Sequence, residues 1–347
     1  MLNIPQNIFI ATVVKAITNI KTHKQPFALK ADGVILHRDF NKRSVGTEYK
    51  VAYSKLFKDD KENKREDVLI GITFKKFFPD NEEIDNDKKQ LYPSFTDKHL
   101  KMLIYFLEKK ESSFEFLASD FNRACGLIED SVNIQSAYKV LEDLLNIEIR
   151  IINSENELFG EMEFFPLLQL ESKRTKVKNI SHIKLLQMDG VVMEETLSRA
   201  KLKLTKLINF DNAGSMYMPM EVYKTKINNK QTLGATSIAY NIFYIASMDK
   251  KGVKNVITLK ISTVLGWIGV TEEEYKNFFI KNKSKTHKYY VSRLNKIFQQ
   301  LADCGISVHF KGIQVKNKEE FYNKEQVVFN LTDFKANLKK YKTDYNS

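Results

Sequence analysis

The chain has 347 residues, 43% of them apolar and 12% aromatic, and its lysines and arginines exceed its aspartates and glutamates by 12. That length suits two or three domains with ample core material, and no run of about 18 apolar residues is present to make a membrane span. Two cysteines, Cys125 and Cys304, exclude a disulfide framework and fit a reducing cytoplasm. The basic surplus suits a polyanionic partner. From Lys276 onward there are 15 basic and 6 acidic residues, so most of the excess sits in the last fifth. A solvated basic surface ending in a lysine-rich tail is the plainer reading of the same numbers.

The first stretch, MLNIPQNIFIATVVKAITNIK, has no basic run ahead of its apolar part and no small-residue cleavage site, so it reads as mature structure rather than a signal peptide. A helix is expected over 6–20, and strands over 28–40, 48–57 and 67–78. The charged, turn-rich segments KDDKENKRED and PDNEEIDNDKKQ read as exposed loops, the second marking a boundary near residue 90. Beyond it Thr96 is a natural N-cap, with Asp97 at the positive helix end. Leu100, Leu103, Ile104 and Leu107 then fall on one helical face. Further helices are expected over 114–127 and 133–146, followed by strands at 147–153 and 158–170.

Three helices and a hairpin is the order of a winged helix, an elaborated helix-turn-helix. The order recurs after residue 236: an apolar helix at 236–248, a strand and short helix within 256–269, a helical piece at 271–279 capped by Thr271, a long helix at 286–305, and a closing hairpin. In the two copies Ala137, Leu141, Leu144 and Leu145 match Tyr290, Leu294, Ile297 and Phe298, and Ile147, Ile149 and Ile151 match Ile306, Val308 and Phe310. The expected fold is therefore α+β, with five parts. An N-terminal β-rich α/β region covers 1–90, a first winged-helix domain 91–190, and an interdomain helix (193–208) with connector 191–235. A second winged-helix domain covers 236–332 and a basic tail 333–347.

Chemistry-bearing motifs are sparse. The six histidines are scattered, none spaced from another or from a cysteine as a compact metal site requires. There is no Walker-type phosphate loop and no G-x-S-x-G elbow. Tyr289 and Tyr290 invite comparison with DNA-cleaving tyrosines, but no His-x-His pair accompanies them. Tyr290 falls on an apolar face and reads as core. Glu272, Glu273 and Glu274 suit a helix N-terminus. Cys125 and Cys304 read as small buried hydrophobes, and Trp267 as a core plug. No cofactor, metal or catalytic residue is expected.

The segment KNKSKTHKYYVSRLNKIFQQLADCGISVHFKG is more specific. Projected at 100° per residue, 286–303 has an apolar face of Tyr290, Leu294, Ile297, Phe298 and Leu301. Opposite lie Lys288, Tyr289, Ser292, Arg293, Asn295, Lys296 and Gln299, without one carboxylate. Exposed helices ordinarily mix both signs; a stripe purged of acids suits phosphates. Arg, Asn and Gln also read guanine and adenine edges. Lys281, Lys283 and Lys285 lie ahead of the helix, within reach of backbone phosphates, His287 in its first turn joins the DNA-binding set, and His309, Lys311, Lys316 and Lys318 would follow in the wing. This helix is expected in the major groove of double-stranded DNA. The matching helix of the first copy exposes Asn133, Gln135, Ser136, Lys139, Glu142 and Asp143, and is nearly neutral.

Two winged-helix copies, the second more basic, with the capped FTDKHLKMLIYFLEK and the helix HKYYVSRLNKIFQQL followed by a wing, resemble the iteron-binding replication initiators of bacterial plasmids. The likeness spans 94 to about 332; the first 90 residues depart from that pattern. It implies a non-enzymatic role. The protein would bind origin repeats, distort AT-rich duplex and recruit the host's initiator and helicase, with the first copy supplying either further DNA contacts or the interface of a homodimer. Other classes open to the sequence are a winged-helix transcription regulator, a DNA-nicking replication enzyme, and a structural or phage-assembly protein.

Overall fold

The sequence's clearest helix signal, the capped segment after Phe95, governs how the molecule is put together. A computed structural model of the chain describes residues 1–19, 30–31, 34–39, 46–53, 68–74, 95–153, 162–177, 195–208, 210, 214–226, 233–248, 255–270, 272–282, 284–310 and 321–346. The chain begins with β1 (Leu2–Gln6) and α1 (Ile8–Asn19), then β2 (Lys30–Ala31), β3 (Val34–Asp39), β4 (Gly46–Tyr53) and β5 (Val68–Phe74). Next come α2 (Asp97–Glu108), β6 (Ser113–Phe116), α3 (Ala118–Ala124), α4 (Ser131–Leu145), β7 (Ile147–Asn153), β8 (Met162–Pro166), β9 (Leu168–Val177) and β10 (Glu195–Leu204). The remainder is β11 (Gly214–Met218), α5 (Glu221–Lys224), α6 (Ala235–Ser247), β12 (Val256–Lys260), α7 (Ile261–Trp267), α8 (Glu272–Asn282), α9 (Ser284–Asp303), β13 (Ser307–Phe310), α10 (Phe321–Lys324), β14 (Gln326–Asn330) and α11 (Thr332–Asn346). This mixture of helices and antiparallel strands is an α+β arrangement. No helix among the described residues is long and apolar enough to cross a membrane.

Two three-stranded antiparallel sheets share one plan. One has the order β6-β10-β9, the other β12-β14-β13. In each, the strand between the first and second helices lies on one edge and the last strand of the group is central. The helices α2, α3 and α4 accompany the first sheet, while α6 to α9 accompany the second.

The first group departs from the expected pairing. β7 and β8 do not close it. They join the N-terminal strands in a six-stranded sheet of order β2-β3-β4-β5-β7-β8, with β5 and β7 in antiparallel register from Val68↔Asn153 to Phe74↔Ile147. The strands that pair with β6 come later: β9 and β10, on the far side of this inserted hairpin. The match of Ile147, Ile149 and Ile151 to the strand after α9 therefore fails, and the N-terminal strands β2 to β5 share a sheet with β7 and β8. β1 adds to this connection, since it pairs with β11, and α1 packs on α7 and β5.

Three further expectations are corrected. Residues 195–204 are strand, not part of an interdomain helix: Ala200, Leu202 and Leu204 are buried while Lys201 and Lys203 are exposed, the period of two that a half-covered sheet requires. The expected helix at 114–127 starts as strand β6, because Phe114 and Phe116 point inward and Glu115 outward. The tail after 332 is helix α11, held by Phe334 against Phe243 at 4.5 Å between ring centroids. The boundary segment 79–90 lies outside the described residues.

The two groups meet through α2. Its N-cap Thr96 accepts from the Lys98 N–H, and the ring of His99 takes the backbone N–H of Thr96 on Nδ1 at 3.0 Å. That bond fixes the proton on Nε2, which donates to Asp143 Oδ2 of α4 at 3.1 Å. Asp97, the first residue of α2, does more than favour its own helix. Its carboxylate accepts from the Gly234 N–H at 2.8 Å and the Thr236 N–H at 3.1 Å, so it caps α6, whose own N-cap residue is a glycine without a side chain. One turn on, the fully buried Lys101 donates from Nζ to the carbonyls of Tyr223, at 2.8 Å, and Thr225. Burial pushes the Asp97 carboxyl up and the Lys101 ammonium down from their ordinary ranges, and each charge offsets the other's shift. At the far end of α2, Glu108 accepts from the Tyr223 hydroxyl at 2.9 Å.

Candidate nucleic-acid interface

The long helix α9 is built to show one side. Leu294 and Leu301 are wholly buried, and Tyr290, Val291, Ile297 and Phe298 nearly so. Phe298 meets the edges of Phe310 and Phe329 on the β13–β14 pair at 5.6 and 5.9 Å. Tyr290 packs against Tyr275 and Phe278 of α8 at 5.2 and 5.8 Å. Burial pushes the Tyr290 hydroxyl up to about 12, with Glu274 adding to the effect, so this phenol stays neutral within the core. The helix ends at Gly305, whose φ of 74° favours a residue without a side chain.

Tyr289, Ser292, Asn295, Lys296 and Gln299 are exposed on the other side. They make a stripe about 120° wide at 100° per residue, and it carries no acid from 289 to 299. Asp303, at the C-terminal end of the helix, is the first exposed carboxylate.

Arg293 does not belong to this open stripe. Its Nη2 donates to the carbonyls of Leu233 at 3.3 Å and Ile268 at 3.4 Å. Helical projection puts it on the margin between stripe and core. There the carbonyl at the C-cap of α7, an orphan helix-end acceptor, and the carbonyl just before α6 accept from the guanidinium. One helical repeat further, Gln300 Oε1 accepts from the Lys226 N–H at 2.8 Å. This flank of α9 is therefore tied to the connector.

Lys281 lies in α8, and Lys285, His287 and Lys288 in the opening turns of α9. Their side chains, together with Lys283, Lys311, Lys316 and Lys318, lie outside the described residues. His309 is exposed on β13.

The matching helix α4 of the first group is occupied differently. Lys98 Nζ donates to the Asn133 carbonyl and Ser136 Oγ at 3.3 and 3.0 Å, and Asp143 is held by His99. Three of the six polar residues expected on its open face, Asn133 through its carbonyl and Ser136 and Asp143 through their side chains, thus tie α4 to α2. Near its start, Ile128 and Val132 are 77% and 71% exposed.

A cationic surface that the sequence reading missed lies on the β6-β10-β9 sheet. Lys173, Lys201, Lys203 and Lys206 are exposed, with Lys201 paired to Glu171 and Arg199 to Glu115, both at 3.3 Å. The alternation RAKLKL was the available signal.

Among the described residues no three His, Cys, Asp or Glu side chains come together as a metal site. Burial pushes the thiols of Cys125 and Cys304 up to about 11 and about 12, so neither is a thiolate near neutrality.

No family model matches this chain, and no curated protein matches it. Solved structures do. A crystal structure of RctB domains 2–3 superposes with a TM-score of 0.44 and 10% identity, covering 84% of this chain and 94% of that one. A second structure, of selenomethionine derivatives of domains 2 and 3 of RctB, gives a TM-score of 0.46 at 10% identity, covering 92% and 98%. A likeness at this level carries no argument about function, which rests on the residues themselves.

Proposed function

We propose that this chain binds double-stranded DNA in a sequence-specific manner and acts, at repeated origin sites, as a plasmid replication initiator. The observation that carries the DNA reading is the exposed stripe of α9, where Tyr289, Ser292, Asn295, Lys296 and Gln299 face outward without a carboxylate. Asn and Gln supply the donor and acceptor that complement adenine's N7 and N6 amino group in the major groove, and Lys296 a phosphate contact. Lys281, Lys283, Lys285 and Lys288 precede the stripe in the sequence. Arg293 is assigned to folding, not to base reading.

The shared strand order of the two small sheets supports a tandem winged-helix reading, with β9–β10 and β13–β14 as the wings. In this reading the first wing, with Lys173, Lys201 and Lys203, tracks the backbone beside the groove that α9 enters. The initiator role adds binding at direct repeats, distortion of adjacent AT-rich duplex and recruitment of host factors, all without covalent chemistry.

Footprinting on the DNA that flanks the coding region tests both levels. Several protected direct repeats are expected; a single protected palindrome would identify a transcription regulator instead. With about six phosphate contacts, affinity should fall by roughly three decades between 50 and 200 mM salt. Absence of duplex retention in dilute buffer would sink the DNA reading altogether.

A further inference from the structure

A second surface lies on the C-terminal helix and is independent of the DNA reading. Between the end of α6, strand β11 and helix α11 runs an open groove of about 660 Å3. Its apolar part comes from Phe243, Ala246, Phe334, Ala336 and Leu338. Phe243 and Phe334 are tilted against each other at 4.5 Å and almost fully buried, making a firm base. Met248 and Val256, each next in sequence to a residue of the groove wall, are 57% and 50% exposed. One rim is cationic: Lys335, Lys339 and Lys342 follow at i, i+4 and i+7 along a single face of α11. No carboxylate lines the groove among the described residues.

An apolar floor beside a purely positive rim calls for an occupant with both characters. Duplex DNA offers phosphates but a convex, polar backbone that leaves the floor unfilled. Single-stranded nucleic acid would need a free aromatic face on which to stack. The ring of Tyr217 in the wall is already covered by the Lys342 ammonium at 4.7 Å and met by Tyr341 at 6.4 Å. We propose that the α6–β11–α11 groove binds an acidic, amphipathic segment of a partner protein, its large apolar side chain seated on Phe334 and Leu338 and its carboxylates paired with Lys339 and Lys342. This is helix-in-groove recognition with a charged rim.

The test uses the full chain and a labelled peptide carrying Phe and Leu one helical turn apart, flanked by Asp and Glu, with fluorescence polarisation as readout. The control peptide has Lys in place of each acid. The acidic peptide is expected to bind and the lysine peptide not to. Lys339→Glu should weaken binding by about tenfold or more through reversal of a rim charge, and Ala336→Trp, which fills the groove from an exposed position, should do the same. Both variants should keep the melting temperature and the duplex-DNA affinity of the parent. The proposal is overturned if the acidic peptide binds no better than its control or if the two substitutions leave its affinity unchanged. It is equally overturned if duplex binding falls in step with peptide binding, which would make the groove a nucleic-acid surface. A change in sedimentation of Lys339→Glu without peptide would assign the groove to a second copy of this chain.

Discussion

Asp97 is the residue on which the two groups turn. At the first position of α2 a carboxylate would be expected to settle its own helix dipole by a few tenths of a kcal/mol. Instead its two oxygens take the N–H groups of Gly234 and Thr236, donors that have no other cap because residue 234 is glycine. Gly234 also leaves little room: a Cβ there would stand 3.1 Å from Asp97 Oδ2. Asp97→Ala would leave two helix-end donors unpaired, one of them on the wholly buried Thr236. The expected cost is about 1–3 kcal/mol, read as a lower urea midpoint with an unchanged slope. Lys101→Met should destabilise similarly by orphaning the carbonyls of Tyr223 and Thr225. The double variant should lose less than the two single losses combined, since the pair shares one buried network.

At the scale of elements, α9 separates into an open stripe and a closed flank, and the two should respond differently to truncation. Asn295→Ala and Gln299→Ala are expected to leave thermal stability unchanged and to relax selectivity at one base pair each, by about 1–3 kcal/mol in a retention assay against substituted sites. Arg293→Ala should instead lower the melting temperature and leave the ranking of sites intact. A loss of site preference in Arg293→Ala at full stability would return it to the groove. Helix α2 was legible because Thr96 and the i, i+3, i+4 apolar residues are local signals, and α9 because its apolar face runs from Tyr290 to Leu301, about three turns. Strand β10 was not: Leu197, Ala200 and Leu204 also satisfy a helical spacing, and acids precede lysines as they would in a helix. Only the neighbours β6 and β9 select the period of two. The true partners of β6 were hidden for a related reason, since an inserted hairpin satisfies the same helix-then-strand pattern while pairing elsewhere. The bonds of Arg293 to Leu233 and Ile268 were not legible, because projection resolves faces but not the carbonyls that meet a margin residue.

For the molecule as a whole, charge and packing are arranged on separate elements. The basic excess resides on α9, on α11 and on the β9–β10 pair, whereas the interior between the groups is closed by Asp97 and Lys101 of α2, bonded to backbone groups of α5 and of the start of α6. None of that closure is visible in composition, because Asp97 and Gly234 are 137 positions apart and nothing local to either announces the other. Its consequence is practical. If the chain is severed in the connector between α5 and α6, each piece keeps a raw end: one a buried acid with nothing to hold, the other a helix start with no lid. Neither piece should be recoverable in soluble form alone, while the two made together in one cell should find each other and co-purify; separate soluble halves would show that the clasp is dispensable.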